Sequence, residues 1–224
     1  MNETRGVDRR IYRTRVMISE AFLKMMKKQD YVEISIVDIA EQANINRSTF
    51  YAHFIDKEDL LDKMINEKLE LLEHVLSERS AAMDVALSFT EPDPIFAVLF
   101  EHIFEHDEFY RVMLLINPVG NFSTRLNEVI KAYFFQRITQ LGMDQKVQVP
   151  LDILLDHLSF STSGIIHKWL ENNKVYSPHH MALQLTRLAR LGVYTAMGAQ
   201  AQDTRSPIPD LPVLEPEANL TNLL

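Results

Sequence analysis

The chain has 224 residues, no cysteine and a formal net charge of −8 at pH 7. Without thiols it has neither a disulfide framework nor a thiolate metal site, and no apolar run reaches the roughly 18 residues of a membrane span. The charged, polar start does not read as a signal peptide, so a cytoplasmic protein of one sizeable or two small domains is expected.

Glycine is scarce and no proline stands before Pro92, which permits long helices and predicts an all-α fold. The first helix is expected over residues 9–29, with Ile18, Ala21, Phe22, Met25 and Met26 on one face. Residues 35–54 then hold two short helix patterns around a tight turn. Ser35 and Asp38 have the spacing of a capping box. Asn44 suits the left-handed backbone a sharp turn needs, and Ile45 can plug the gap between the helices. Asn46 is a preferred N-cap for the second helix. Phe50 and Phe54 point inward, which leaves Arg47, Ser48, Thr49, Tyr51 and His53 outward.

An ordinary solvated helix face carries Glu and Lys, yet residues 46–54 contain no carboxylate. Arg, Ser, Thr and Asn reach base edges, while Tyr, His and a helix N-terminus suit phosphate oxygens. A polar-faced connector helix is the alternative. The net charge of −8 does not oppose DNA binding once it is divided. Residues 1–60 carry ten basic and ten acidic groups, and the remaining 164 carry 13 and 21. The field that matters is local, screened beyond about 8–10 Å at physiological salt.

Asp56 and Asp59 repeat the capping pattern and open a long helix over residues 56–79. Its apolar stripe (Leu61, Met64, Ile65, Leu69, Leu72, Val75, Leu76) is broken only by Lys68. Such a helix leaves the head and enters the next unit, a natural lever. After the Glu91-Pro92-Asp93-Pro94 break, helices are expected near 94–107, 108–117, 121–141, 149–172 and 178–199. Ser177-Pro178 marks the last start. Gly164, Ala189, Gly192, Ala196 and Gly198 are small residues that let helices approach closely. Residues 201–224 hold four prolines and no helical period, and read as a flexible tail. The expected division is residues 1–66, a helix-turn-helix domain; 67–200, a helical effector-binding and dimerisation domain; and 201–224, the tail.

His102-Ile103-Phe104-Glu105-His106 matches a zinc pattern, His-x-x-Glu-His. A catalytic site needs a third ligand and a general base besides, so no metal site is expected. There is also no Gly-x-Ser-x-Gly and no phosphate-cradling glycine loop. Hence no enzyme and no cofactor are expected. His157 and His167 do not share a helical face, and Trp169 reads as packing. Met113, Met143 and Met181 with Phe96, Phe100, Phe104 and Phe122 suit either an adaptable apolar pocket or plain core.

Residues 9–72 resemble the DNA-binding domain of the TetR/AcrR family of bacterial transcription regulators. The resemblance is carried by Ile18, Ala21, Met25, Met26, Tyr31, Ser35-Ile36 and Asp38-Ile39-Ala40. It closes on Ala43-Asn44-Ile45-Asn46, Thr49-Phe50-Tyr51, His53-Phe54, Lys57 and Leu60-Leu61. Asp30, Asn44 and Ser48 are mild departures from the family pattern. The resemblance implies that Ser35 and the start of its helix touch one phosphate strand. It places Arg47, Ser48 and Thr49 at the base edges, with the cap Asn46 also among the DNA-binding residues, and makes Tyr51, His53 and Lys57 phosphate anchors. Arg9, Arg10, Arg13 and Arg15 would form an arm that adds backbone or minor-groove contacts.

The same resemblance implies a homodimer through the two C-terminal helices, with Leu158, Ile165, Leu188, Leu191 and Tyr194 as candidate interface residues. Its partner is then double-stranded DNA with a palindromic operator. A repressor controlled by a small-molecule or protein effector in the C-terminal domain is the expected function. More loosely, Phe109-Tyr110-Arg111, Lys168-Trp169-Leu170-Glu171 and Tyr176-Ser177-Pro178 resemble one branch of the family. That branch includes an activator acting through a protein co-regulator, so activation is the alternative sign.

Overall fold

The computed structural model describes residues 3–81, 90–140, 142 and 149–196. They form helices α1 (Glu3–Met26), α2 (Ile36–Gln42), α3 (Arg47–Tyr51), α4 (Lys57–Ala81), α5 (Pro94–Glu105) and α6 (Asp107–Arg111), followed by α7 (Phe122–Gln140), α8 (Leu151–Glu171) and α9 (Pro178–Ala196). A 3₁₀ turn spans Tyr31–Glu33, and a π-helical segment, Val112–Ile116, follows α6. Among the described residues there is no strand, as an all-α reading requires. No helix among them is long and apolar enough to cross a membrane.

Two boundaries differ from expectation. The first helix begins at Glu3, so Arg9, Arg10, Arg13 and Arg15 are turns of α1 rather than an arm before it. All four are exposed along the helix. At the other end, Gly192 leaves the helical path at φ 69° and ψ 166°. It is a backbone break and not a close-packing residue; a Cβ placed there meets nothing within 4 Å. Met143 and the tail 201–224 lie outside the described residues, as do the side chains of Leu191 and Tyr194.

The buried apolar residues form one continuous core. In the head, Ile18, Phe22 and Met26 of α1 meet Ile39 of α2, Phe50, Phe54 and the Leu60–Leu61 turn of α4. Further along α4, Ile65, Leu69, Leu72 and Leu76 carry the same core into the second unit. There α5 packs on α4 and α9, and α7 packs on α8. Asp93 sets this geometry. Its carboxylate caps Ile95 N at 3.1 Å, and its own N–H donates to Thr186 Oγ1 on α9 at 2.7 Å.

Phe96, Phe100, Phe122 and Met113 are core residues, and Phe100 meets Trp169 edge-on at 5.0 Å. Phe104 is exposed instead, under Lys174 Nζ at 4.7 Å. The three looser sequence motifs meet in space. The Arg111 guanidinium donates to Leu170 O, Trp169 Nε1 donates to Tyr176 O at 2.9 Å, and Ser177 Oγ accepts from His180 N at 3.2 Å.

The contacts that fasten the head to the second unit include the following three. Asn117, at the end of the π-helical segment, is buried. Its Nδ2 donates to Met26 O (2.7 Å) and Gln29 O (2.9 Å), and its Oδ1 accepts from Tyr31 N (3.0 Å). Gly120, at φ 63°, lies so close to α4 that a Cβ would sit 2.8 Å from Ile65 Cδ1. Lys27 pairs with Glu108 at 2.8 Å on the surface.

Candidate nucleic-acid interface

The helix-turn-helix is assembled by side chains that close on their own backbone. Ser35 Oγ accepts from Asp38 N at 3.2 Å, and Asp38 Oδ2 accepts from Ser35 N at 3.0 Å and from Ser35 Oγ at 2.6 Å. These bonds from Ser35 hold the Asp38 carboxyl below its usual range. The Ser35 hydroxyl proton is therefore committed to Asp38; what α2 still offers a phosphate is the N–H groups of its first turn. After α2 the chain turns at Asn44, φ 52°, and Ile45 packs against the core.

Asn46 then caps α3 with a single oxygen that serves three donors. Its Oδ1 accepts from Thr49 N at 2.8 Å, Ser48 Oγ at 2.6 Å and Thr49 Oγ1 at 2.8 Å. Both hydroxyls have spent their protons locally, so Ser48 and Thr49 face outward with lone pairs, as acceptors. Arg47 is exposed and makes no hydrogen bond or ion pair with the described residues. Tyr51 is 57% exposed, its ring set edge-on against buried Phe50 at 5.7 Å. His53 is half-buried; desolvation first, then the charge of Arg15, lowers its pKa and favours the neutral imidazole.

Lys57 makes local bonds that the sequence did not show. Its ammonium donates to Tyr31 O (2.7 Å) and Ile34 O (2.8 Å), lies 3.5 Å from Val32 O, and sits 4.2 Å above the Tyr31 ring. An ammonium has three donors. With all three turned to carbonyls of the α1–α2 connection, Lys57 clamps that turn. Burial lowers its pKa accordingly, and Glu58 opposes the shift. Nor is the start of α4 bare: Asp56 Oδ1 accepts from Asp59 N at 2.7 Å, and Asp59 Oδ2 accepts from Ile55 N at 2.9 Å and Lys63 Nζ at 2.7 Å. Sequence reasoning also missed Val32 and Ile55, apolar side chains exposed on the loops flanking α2 and α4.

The two remaining sequence candidates lie in the second unit. His102 of α5 and His106, the C-cap residue of that helix, have ring centroids 4.5 Å apart, and among the described residues no third metal-ligating group joins them. For the dimer surface, Leu158 and Ile165 lean on the chain's own core, while Leu188 is exposed. The outward apolar residues of α8 are instead Ile153 and Phe160, the latter 63% exposed, near Gly164, beside which a Cβ would meet nothing. Their spacing of seven residues was a helical signal available in the sequence.

Comparison with known proteins agrees with this geometry. Residues 18–64 match the family described as bacterial regulatory proteins, tetR family, and residues 90–191 match a transcriptional regulator C-terminal region. An uncharacterised HTH-type transcriptional regulator, YxbF of Bacillus subtilis, is 39% identical over 101 residues. That match covers 40% of this chain and 27% of the length of YxbF. A probable acrEF/envCD operon repressor of Escherichia coli K12 is 23% identical over 186 residues, 76% of this chain and 82% of that protein. Among solved structures, the regulator FadR of Bacillus subtilis, crystallised with stearoyl-CoA, superposes with a TM-score of 0.62. At 18% identity, covering 80% of this chain and 98% of FadR, that likeness bears on the fold alone.

Proposed function

Because the chain belongs to the TetR family of DNA-binding transcriptional regulators, we propose that α3 reads an operator and that an effector in the second unit controls the reading. The head is taken as residues 1–66, the effector and dimerisation unit as 67–200. The observation that carries this reading is the cap at Asn46: it consumes the Ser48 and Thr49 protons and leaves Arg47 as the free donor of α3's first turn.

In the major groove, Arg47 would pair with guanine O6 and N7, while Ser48 and Thr49, as acceptors, would meet the amino groups of cytosine or adenine. Tyr51, His53 and the first-turn N–H groups of α2 would hold phosphates. Lys57 enters by fixing the turn that aims α2. A homodimer across the outer face of α8 and α9, including Ile153, Phe160 and Leu188, would set two such helices about 34–36 Å apart on a palindromic site. Repression is the sign we adopt, supported by the match that spans most of this chain and of an operon repressor.

α4 and the Asn117 fastening would transmit the signal. Any shift requires that the effector bind the two conformations with different affinity. The test is footprinting and gel shift on the DNA upstream of the protein's own gene, with a reporter driven by that promoter. A palindromic footprint and lower reporter output are expected. Arg47→Ala should cost about 1–3 kcal/mol at one base position and leave the others unchanged. Equal weakening on all sequences would reduce Arg47 to a phosphate contact, and raised reporter output would overturn repression.

A further inference from the structure

Within the second unit, one group of polar side chains includes two buried polar atoms that the fold leaves unpaired. Lys68 alone breaks the inward stripe of α4. It is half-buried and makes no ion pair with the described residues; its ammonium rests 5.7 Å from the Phe109 ring centroid. Behind it, His102 and Tyr110 are more than nine-tenths buried, and their rings are 5.8 Å apart. Neither His102 Nε2 nor Tyr110 Oη has a hydrogen-bond partner, in a class of atom that is nearly always paired when buried. His106 completes the group against His102. The backbone next to Tyr110 is the π-helical segment, closed by Asn117 N to Val112 O at 2.8 Å. Such segments are frequent at functional sites.

Lys68 and Phe109 also line an open groove of about 720 Å³ between α1 and α4. Its apolar lining includes Val16, Leu23, Met64 and Phe54, and its charged lining is Arg15, Glu20, Lys63, Glu67, Lys68 and Glu70.

We propose that Lys68, His102, His106 and Tyr110 form the effector site, and that they take the carboxylate of an apolar monocarboxylic acid entering past Lys68, the one of the four that lines the groove. The inference rests on the effector-controlled reading above. Charge selects the ligand class. The group offers one ammonium and neutral N–H and O–H donors, so one negative charge is balanced; a dianion would leave a charge buried without a partner. An amine is excluded by Lys68 itself. Burial first, then His106 and Lys68, keep His102 neutral down to about pH 3, so its imidazole can donate without adding charge. The groups that act on the histidines from their own and facing elements are Lys68 and Glu105, and Glu67 acts on Lys68.

The experiment titrates the full chain, with ¹³C-labelled histidine, with sodium octanoate, octylamine and octyl phosphate at pH 7.5. Octanoate is expected to shift the His102 and His106 imidazole signals. Lys68→Met should weaken it at least about tenfold, as loss of a charge-assisted hydrogen bond implies. Tyr110→Phe, nearly isosteric, should weaken it several-fold with the fold intact. Octanoate binding unchanged in both variants, or octylamine or octyl phosphate binding more tightly than octanoate, would overturn the assignment. So would the absence of any octanoate shift in a protein that still retards its operator in a gel, and that result would leave the DNA-binding reading standing. Loss of operator binding by the unliganded wild type would strike that reading instead.

Discussion

The head and the regulatory unit treat their polar side chains in opposite ways. In the head, the Asn46 oxygen serves three donors, Ser35 and Asp38 satisfy each other, and Lys57 spends its donors on turn carbonyls. In the regulatory unit, His102 Nε2 and Tyr110 Oη are buried without partners, and Lys68 faces an aromatic ring. A recognition surface must hold its shape before it meets DNA, so its framework closes on itself, and the proposed contacts fall to Arg47, Tyr51, His53, the outer lone pairs and the first-turn N–H groups of α2. A regulatory core gains from the reverse. Each unpaired buried group costs about 1–3 kcal/mol, and a ligand that pairs it recovers that cost only in the conformation it binds.

The contact between the two regions carries the largest expected effect. Asn117→Ala removes three hydrogen bonds and strands Met26 O, Gln29 O and Tyr31 N. A loss of about 2–4 kcal/mol in urea denaturation is expected, with faster amide exchange at Tyr31. A loss below the error of the measurement would mean the two regions are not coupled there.

The second effect is acid sensitivity, which belongs to the regulatory side. The pKa of His102 falls from 6.5 to about 3 on folding, chiefly by burial. Between those values the unfolded chain binds the proton and the folded chain does not, so stability falls as pH falls through that window. From pH 7 to pH 5 its share is about 2 kcal/mol. His102→Phe should flatten the stability profile by that amount relative to wild type; a parallel profile would show that His102 is not held neutral. The third and smallest loss lies in the head. Asn46→Ala should lower stability by about 1 kcal/mol, as a lost N-cap does, and should weaken operator binding as Ser48 and Thr49 lose their common anchor. Circular dichroism melts and gel shifts read both.

Local features were legible in the sequence because local chemistry causes them. The Ser35–Asp38 box, the Asn44 turn, the Asn46 cap and the Asp56–Asp59 start each depend on residues within four positions of one another. What depends on distant segments meeting was not legible. Lys57 had the right charge at the right place, but its partners Tyr31 and Ile34 lie more than twenty residues earlier. Asn117 read only as the last residue of an expected helix, 108–117, whereas it fastens two units. His102 and His106 read as a metal pattern, and only the fold sets Tyr110 beside them and brings the charge of Lys68 to bear on them. The π-helical segment has no periodicity of its own to betray it.

The contrast between a satisfied head and an unsatisfied core rests most directly on one hydroxyl. Equilibrium urea unfolding of Tyr110→Phe, without ligand at pH 7.5, removes Tyr110 Oη and leaves the ring packing against Phe109 and Phe122 unchanged. A midpoint equal to or above that of the wild type is predicted, since an unpaired buried group is lost. A midpoint lowered by the equivalent of about 1 kcal/mol or more would show that the hydroxyl already has a partner, and the contrast would fail.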